Sequence, residues 1–287
     1  MQFFTSLGLT DGLADLAQAA EVAGYEGTTL ADHVFFPEQM QSRYPYSPDG
    51  SVYWDGTVPW PDPWVSIGAM AMVTTRLRFI TSVYILPLRN PFTTAKSVGT
   101  AAVVSGGRVI LGGGIGWMRD EFEQLGVDFH TRGARTGEII EVLRLLWSGE
   151  MVEYHGEHYD FGRVQMSPAA PAQVPIYMGG ESEPALRRAA KLADGFISVP
   201  HDPTELAGLI GRLNALRDEY GRRDDPFAFI TINPVPGPVD DYRRLADLGV
   251  TGVIEGPPVG PDASASEHVD ALHRFGTDVI TRLTEDD

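Results

Sequence analysis

Apolar residues fall along this chain in short blocks, each followed by a longer stretch with helical spacing. QFFTSLGL (2–9) reads as a buried strand. A helix follows, with Asp11 placed to cap it, Leu13, Leu16, Ala17 and Ala20 on one face, and Gly24 to end it. GTTLADH (27–33) is predicted as the second strand, and further strands at 77–86, 108–114, 174–180, 195–199, 227–232 and 251–255 bring the number to eight. Helices are predicted at 91–105, at 137–149 with Ile139, Ile140, Leu143, Leu146 and Trp147 inward, and at 183–193 with Ala185, Leu186, Ala189, Ala190 and Ala193 inward. The segments 23–30, 192–199 and 248–255 each leave a helix through glycine and enter an apolar strand, the αβ connection of a parallel unit. Strands without polar alternation suit a sheet covered on both sides. The pattern predicts an α/β fold, a (β/α)8 TIM barrel, as one domain over residues 1–287. A doubly wound open sheet is the competing arrangement.

Two segments break the rhythm. Residues 34–64, rich in Pro, Tyr and Trp, follow the second strand as a long loop. Loops of that length in a compact domain are usually functional, and the aromatics argue against disorder. Residues 150–166 read as a hairpin around His155-Gly156, inserted before the fifth strand.

Composition narrows the function. The chain of 287 residues carries 39 acids against 22 bases, a formal net charge of −17, which disfavours nucleic acid and anionic membranes as partners. It has no cysteine, so neither disulfides nor thiolate chemistry enter. The first residues lack a basic, then apolar, signal pattern, and no apolar run approaches spanning length. A cytoplasmic protein acting on a small molecule is the expectation.

In a barrel of this kind chemistry gathers at the carboxyl ends of the strands. The residues leaving those ends are Asp32-His33, Ser82-Val83, the glycines of 112–116, Gly179-Gly180-Glu181-Ser182 and His201-Asp202. At 178–188 a strand ends, two glycines turn, and a helix opens at Ser182, Glu183 and Pro184. That arrangement offers bare amide hydrogens to an anion such as phosphate. GGGIGW (112–117) is neither a Walker loop nor a dinucleotide fingerprint, but small residues there suit a flat ring lying across the strand ends. His33 is placed to take or give a proton, or to be satisfied by local backbone. Asp32, His33, His201 and Asp202 lack a metal-ligand spacing, so no metal is assigned.

Taken together, ADH (31–33), 81–97, the block SGGRVILGGGIGW (105–117) with its following EFEQLG, 138–150, 159–161 with Pro168, and 175–196 resemble the luciferase-like monooxygenase superfamily, in particular its branch dependent on the deazaflavin coenzyme F420. The resemblance covers nearly the whole chain. It implies a (β/α)8 barrel with the ring at the strand tips and Ser82-Val83 as a cis peptide beneath it. It further implies His33 near the ring's reactive edge, Asp32 among the cofactor-binding residues, Gly179, Gly180, Glu181 and Ser182 at the phosphate, and Gly114 and Gly116 along ring or tail. One departure stands out. Where the sugar-phosphate dehydrogenase branch has an acid after the fourth-strand G-x-G, this chain has Trp117, which with Trp54 and Trp60 points to an apolar or aromatic substrate.

The implied activity is hydride transfer between reduced F420 and such a substrate, with His33 completing proton transfer. The same platform would serve FMN in a monooxygenase. Arg89, Arg119, Arg132 and Arg135 are the candidates to meet the acidic tail of F420. A metal-dependent barrel hydrolase and a non-catalytic flavin-binding protein are the readings from other classes. The resemblance also implies a homodimer and leaves room for a separate flavin or F420 reductase as partner.

Overall fold

The computed structural model describes residues 1–7, 10–170, 173–233, 236–255, 259 and 263–285. The elements run β1 (Gln2–Ser6), α1 (Leu13–Val22), β2 (Gly27–Leu30), α2 (Pro63–Ala71), β3 (Arg78–Thr81), β4 (Tyr84–Ile85), α3 (Pro91–Val104), β5 (Val109–Gly114), α4 (Arg119–Gln124) and α5 (Arg132–Trp147). They continue with β6 (Met151–His155), β7 (Asp160–Gln165), β8 (Ile176–Gly179), α6 (Glu183–Leu192), β9 (Gly195–Ser198), α7 (Pro203–Glu219), β10 (Ala228–Asn233), α8 (Val239–Asp247), β11 (Gly252–Glu255), α9 (Ala265–Phe275) and α10 (Arg282–Glu285).

Eight strands pair in parallel around a closed circuit, β1-β2-β3-β5-β8-β9-β10-β11 and back to β1. The fold is therefore a (β/α)8 barrel, and the open-sheet alternative is excluded by the β1–β11 and β3–β5 pairings. Inside, Phe4, Ile80, Ile110, Tyr177, Ile197, Ile230 and Ile254 form a packed plug. A larger apolar layer joins the outer strand faces to the helices. The predicted insertion before β8 is the antiparallel pair β6–β7, outside the barrel. The predicted first strand stops earlier than expected, and its last two positions, 8 and 9, lie outside the described residues. Asp11 does not cap α1. Gly12 takes the cap position in a left-handed conformation (φ 69°), with no side-chain bond to the helix.

The predicted strand at 77–86 is interrupted. The β3–β5 ladder runs Phe79↔Val109 and Ile80↔Ile110, then resumes through β4 as Tyr84↔Gly113 and Ile85↔Gly114, one residue out of step. The extra residue sits at Thr81–Val83, where the Ser82–Val83 peptide is cis. The glycines of β5 make this possible. A Cβ at position 112 would overlap the Thr81 carbonyl oxygen, and one at 114 would overlap the Val83 side chain. Thr81 Oγ1 donates to the Gly112 carbonyl at 2.8 Å, locking the two backbones together.

Glu255 ends β11 and is 1% exposed, opposite Thr5 of β1 and Asn233 of β10. Burial pushes its carboxyl up to about 7, against hydrogen bonding from Tyr242 and Asn233.

Two outcomes follow from this packing. Gly112→Ala should cost about 3 kcal/mol or more, because an overlap with backbone cannot be relieved by a rotamer change. Gly208→Ala, where a Cβ meets nothing within 4 Å, should be neutral or mildly stabilising, and thermal unfolding of the two variants checks the contrast. Glu255 holds its proton in the fold up to about 7, whereas the unfolded chain releases it near ~4.3. Its contribution to stability is thus complete below the unfolded value and is lost as pH rises towards 7. Glu255→Gln should therefore gain stability relative to the parent between pH 5 and pH 8, measured as denaturant midpoints.

Candidate active site

A cavity of about 760 Å³ opens at the carboxyl ends of the strands. Its floor comes from the barrel: Ser6, Ser82, Val83, Ile85, Gly114, Gly179, Ile197 and Ile232. Its walls come from the loop after β2, which brings Tyr44, Tyr46, Tyr53, Trp54, Val58 and Trp60, and from Trp117 after β5. Val83 is wedged between two of the glycines, since a Cβ at Gly114 would overlap it and one at Gly179 would stand 3.3 Å from its Cγ1. These glycines therefore admit Val83, and Val83, with Ser82, presents the surface on which a flat ring could lie. Gly116 (φ 77°) turns the chain against Ile85 and Phe122.

His33 stands at the aromatic wall. Its ring centroid lies 4.9 Å from Trp60, 5.6 Å from Trp54 and 5.9 Å from Trp117. Its Nδ1 is 3.3 Å from both carboxylate oxygens of Glu121, a fully buried side chain. Glu121 also accepts from the Val34 amide at 2.7 Å. Facing a carboxylate, Nδ1 carries the hydrogen and Nε2 is the nitrogen left for a ligand. The neighbouring Asp120 accepts from the amides of Gln41 (3.0 Å) and Ser42 (3.1 Å) and from the Ser42 hydroxyl (2.6 Å), while Ser42 Oγ accepts from the Arg119 amide at 2.8 Å. Helix α4 thus holds both His33 and the loop that supplies the aromatic wall.

Asp32 lines the cavity but is spoken for. It accepts from the Ile85 amide at 3.0 Å and from Arg89 Nη2 at 2.7 Å. This bond ties the tip of β2 to the backbone just past the bulge, and it takes Arg89 away from any role towards an acidic tail. Arg119 lies against His130 and Phe129, Arg132 against Phe129, and Arg135 bonds Tyr159. None of the four lines the cavity.

The predicted anion loop lies at the tip of β8. Gly180 is left-handed (φ 102°), and a Cβ there would press on Ala185 at 3.3 Å, so the turn into α6 requires glycine. Ser182 occupies the N-cap without a side-chain bond to the helix, but Pro184 has no amide hydrogen and the Ala185 amide donates to the Ser182 carbonyl at 2.8 Å, so of the first three helical residues only Glu183 keeps an amide for a ligand. Glu181 turns aside. It accepts from the Val199 amide at 3.3 Å and meets His201 Nε2 at 2.7 Å, while His201 Nδ1 is 3.3 Å from Glu205. Burial opposes protonation of His201, but the two carboxylates outweigh it and hold the imidazole above its usual value. Asp202 caps α7 through the Thr204 and Glu205 amides. Of the metal candidates, Asp32, His201 and Asp202 are thus engaged elsewhere, and among the described residues no group of three or more acids and histidines could hold an ion.

The barrel agrees with the comparisons to known proteins. The family model for luciferase-like monooxygenase matches residues 9–236, and the chain belongs to that family. An uncharacterized protein of Mycobacterium tuberculosis is 41% identical over 273 residues, covering 93% of this chain and 94% of the relative. An F420-dependent glucose-6-phosphate dehydrogenase of Nakamurella multipartita is 33% identical over 244 residues, 82% of this chain and 66% of the relative. The solved structure of an F420-dependent secondary alcohol dehydrogenase in complex with an F420-acetone adduct shares the fold, with a TM-score of 0.79, 16% identity and coverage of 97% of this chain and 98% of that one. The family is one of oxidoreductases and monooxygenases. No helix among the described residues is long and apolar enough to cross a membrane.

Two of the site's groups, Glu121 and the Asp32–Arg89 pair, are not apparent as partners in the sequence. Replacing Glu121 by Leu strands both His33 Nδ1 and the Val34 amide, and should cost about 2–4 kcal/mol. Limited proteolysis should then cut within residues 34–62 well before the barrel segments, and equal cleavage rates in both proteins would refute the tether.

Proposed function

We propose that this protein is an F420-dependent oxidoreductase that moves a hydride between the reduced deazaflavin and an apolar or aromatic small molecule. The observation that carries this reading is the two-sided cavity. One side is a barrel floor of glycine, serine and aliphatic residues ending at an uncapped helix N-terminus. The other is a wall of tryptophan and tyrosine around a single imidazole. The residues present fit a ring bearing a phosphate. Val83 and Ser82 would support the ring, and the amides after Gly180 would hold the phosphate. The 33% identical dehydrogenase favours F420 over FMN. The family's monooxygenase members make an FMN-dependent oxygenase the second reading, since floor and anion loop serve both rings.

Bound F420 supplies a hydride donor and acceptor at its ring face. The protein's contribution is orientation, exclusion of water and a proton. Trp54, Trp60 and Trp117 leave an apolar slot beside His33, which suits a planar or hydrocarbon substrate better than a sugar phosphate. Glu121 fixes the imidazole so that Nε2 exchanges the proton that accompanies hydride transfer at a carbonyl, hydroxyl or activated alkene. Asp32, held by Arg89 and the Ile85 amide, keeps the strand tip beside His33 in place.

Titration of the purified protein with F420 and with FMN, followed by absorbance and fluorescence, tests the cofactor; tighter binding of FMN than of F420 overturns it. His33→Ala should lower turnover by roughly 10²–10⁴-fold while cofactor affinity changes little. Unaltered turnover would leave His33 a structural histidine.

A further inference from the structure

Across the cavity rim from the β2 tip, one histidine faces a carboxylate on each of its ring nitrogens. Strands β8 and β9 pair as far as Gly179↔Ile197, and past that pair each chain turns into a helix, α6 or α7. Gly179 and Gly180 of the first tip and Val199 and Pro200 of the second line the cavity. Glu181 crosses from one turn to the other. Its Oε1 accepts from the Val199 amide at 3.3 Å and lies 2.7 Å from His201 Nε2. His201 Nδ1 lies 3.3 Å from Glu205 Oε2, which also accepts from the Asp202 amide at 3.3 Å. The His201 side chain is 19% exposed, so water is a poor substitute for either carboxylate.

A neutral imidazole has one N–H and one lone pair, and only the imidazolium donates from both nitrogens. The arrangement is therefore complete only while His201 is charged. When the proton leaves for solvent, one nitrogen turns a lone pair on a carboxylate, and the bond that remains loses the charge that strengthened it. No other cation takes over. Among the described residues neither Glu181 nor Glu205 has a lysine or arginine partner, whereas Glu183, two residues past Glu181, is paired with Arg187 and Arg212. Asp202 is occupied in capping α7 through the Thr204 and Glu205 amides. From the loop after β2 comes Tyr46, whose phenol is held above its usual value by burial and by the Glu181 charge.

We propose that His201, as the imidazolium, is a positioning residue that fastens the β8–α6 turn to the β9–α7 turn, so that release of its proton loosens this wall and weakens the hold on the ligand in the cavity. The proposal rests on the cofactor reading above for the identity of that ligand and adds a control by pH that the reading does not contain. Proton and ligand are then linked. The factor by which the proton raises ligand affinity is the factor by which the ligand raises proton affinity. The sign follows from the geometry: affinity is full while His201 is charged and declines as pH rises past its titration.

The test follows F420 affinity between pH 6 and pH 8.5 in the parent and in His201→Gln, whose side chain does not titrate. Ionisation of the ligand itself is common to both proteins and cancels in the ratio of their affinities. That ratio, parent over variant, should be about fivefold or more at pH 6 and fall towards one at pH 8.5. A ratio that is the same at every pH overturns the proposal and leaves His201 a structural residue. In NMR titrations the His201 imidazole should have its midpoint above the usual value of about 6.5, and bound F420 should raise it further. Glu205→Gln, which keeps an acceptor for the Asp202 amide, should lower it. A midpoint at or below about 6.5, one that F420 leaves unmoved, or one indifferent to Glu205→Gln overturns the proposal. If FMN binds and F420 does not, FMN serves as the probe. Should the parent bind neither, the cofactor reading fails and hydrogen exchange decides the fastening alone. Protection of the Glu181, Ser182, Val199 and His201 amides that falls as pH passes the His201 midpoint, in the parent but not in His201→Gln, supports it, and unchanged protection overturns it.

Discussion

The carbonyl oxygen of Thr81 occupies the space that a side chain at position 112 would need. Because residue 112 is glycine, β3 can approach β5 closely enough for Thr81 to bond back to the Gly112 carbonyl, and the ladder then slips by one residue. That slip pushes Ser82 and Val83 out of the sheet and up to the strand tips, where they become the cavity floor. Gly114 and Gly179 accept Val83 on either side. The displaced chain is then pinned from above by the Ile85 amide bonding Asp32. The barrel's closure and the shape of its site thus share one cause, the absence of side chains on three residues.

The second determinant is electrostatic and comes from α4. This six-residue helix contributes two adjacent carboxylates with different partners. Glu121, wholly buried, holds His33 and the Val34 amide, and Asp120 holds the Gln41–Ser42 segment. Buried carboxylates are tolerated only when their oxygens are satisfied. Here that requirement orients the imidazole and anchors the aromatic wall at the same time.

Much of the architecture was legible in the chain. Apolar runs at 108–114, 174–180 and 195–199 fit strands covered on both faces, and glycine at helix ends marked the αβ turns. The break in the third strand was visible only through resemblance, since LRFITSVYIL is apolar and β-branched throughout. The fourth-strand glycines, read as clearance for a flat ring, clear room in the structure for Val83, which lines the cavity. Glu121 stands in the EFEQLG block, but its pairing with His33 escaped notice because the two lie 88 residues apart and it reads as an ordinary acid in the first turn of a short helix. Arg89 was assigned outward to a tail, whereas Asp32, 57 residues earlier, draws it inward. Asp11 failed as a cap because Gly12, free to turn left-handed, took the position. For Glu121 and Arg89 the winning partner is distant in sequence, and only the closed barrel brings it near.

No residue from 34 to 62 is buried in the apolar core, yet six of them wall the cavity. Scaffold and cavity wall are consequently separable. The segment can be exchanged or lengthened without disturbing a strand, provided the Asp120 and Glu121 anchors find amides to hold. Chains built on this barrel can therefore keep one set of strands and reshape the cavity at their tips by rewriting a single surface stretch.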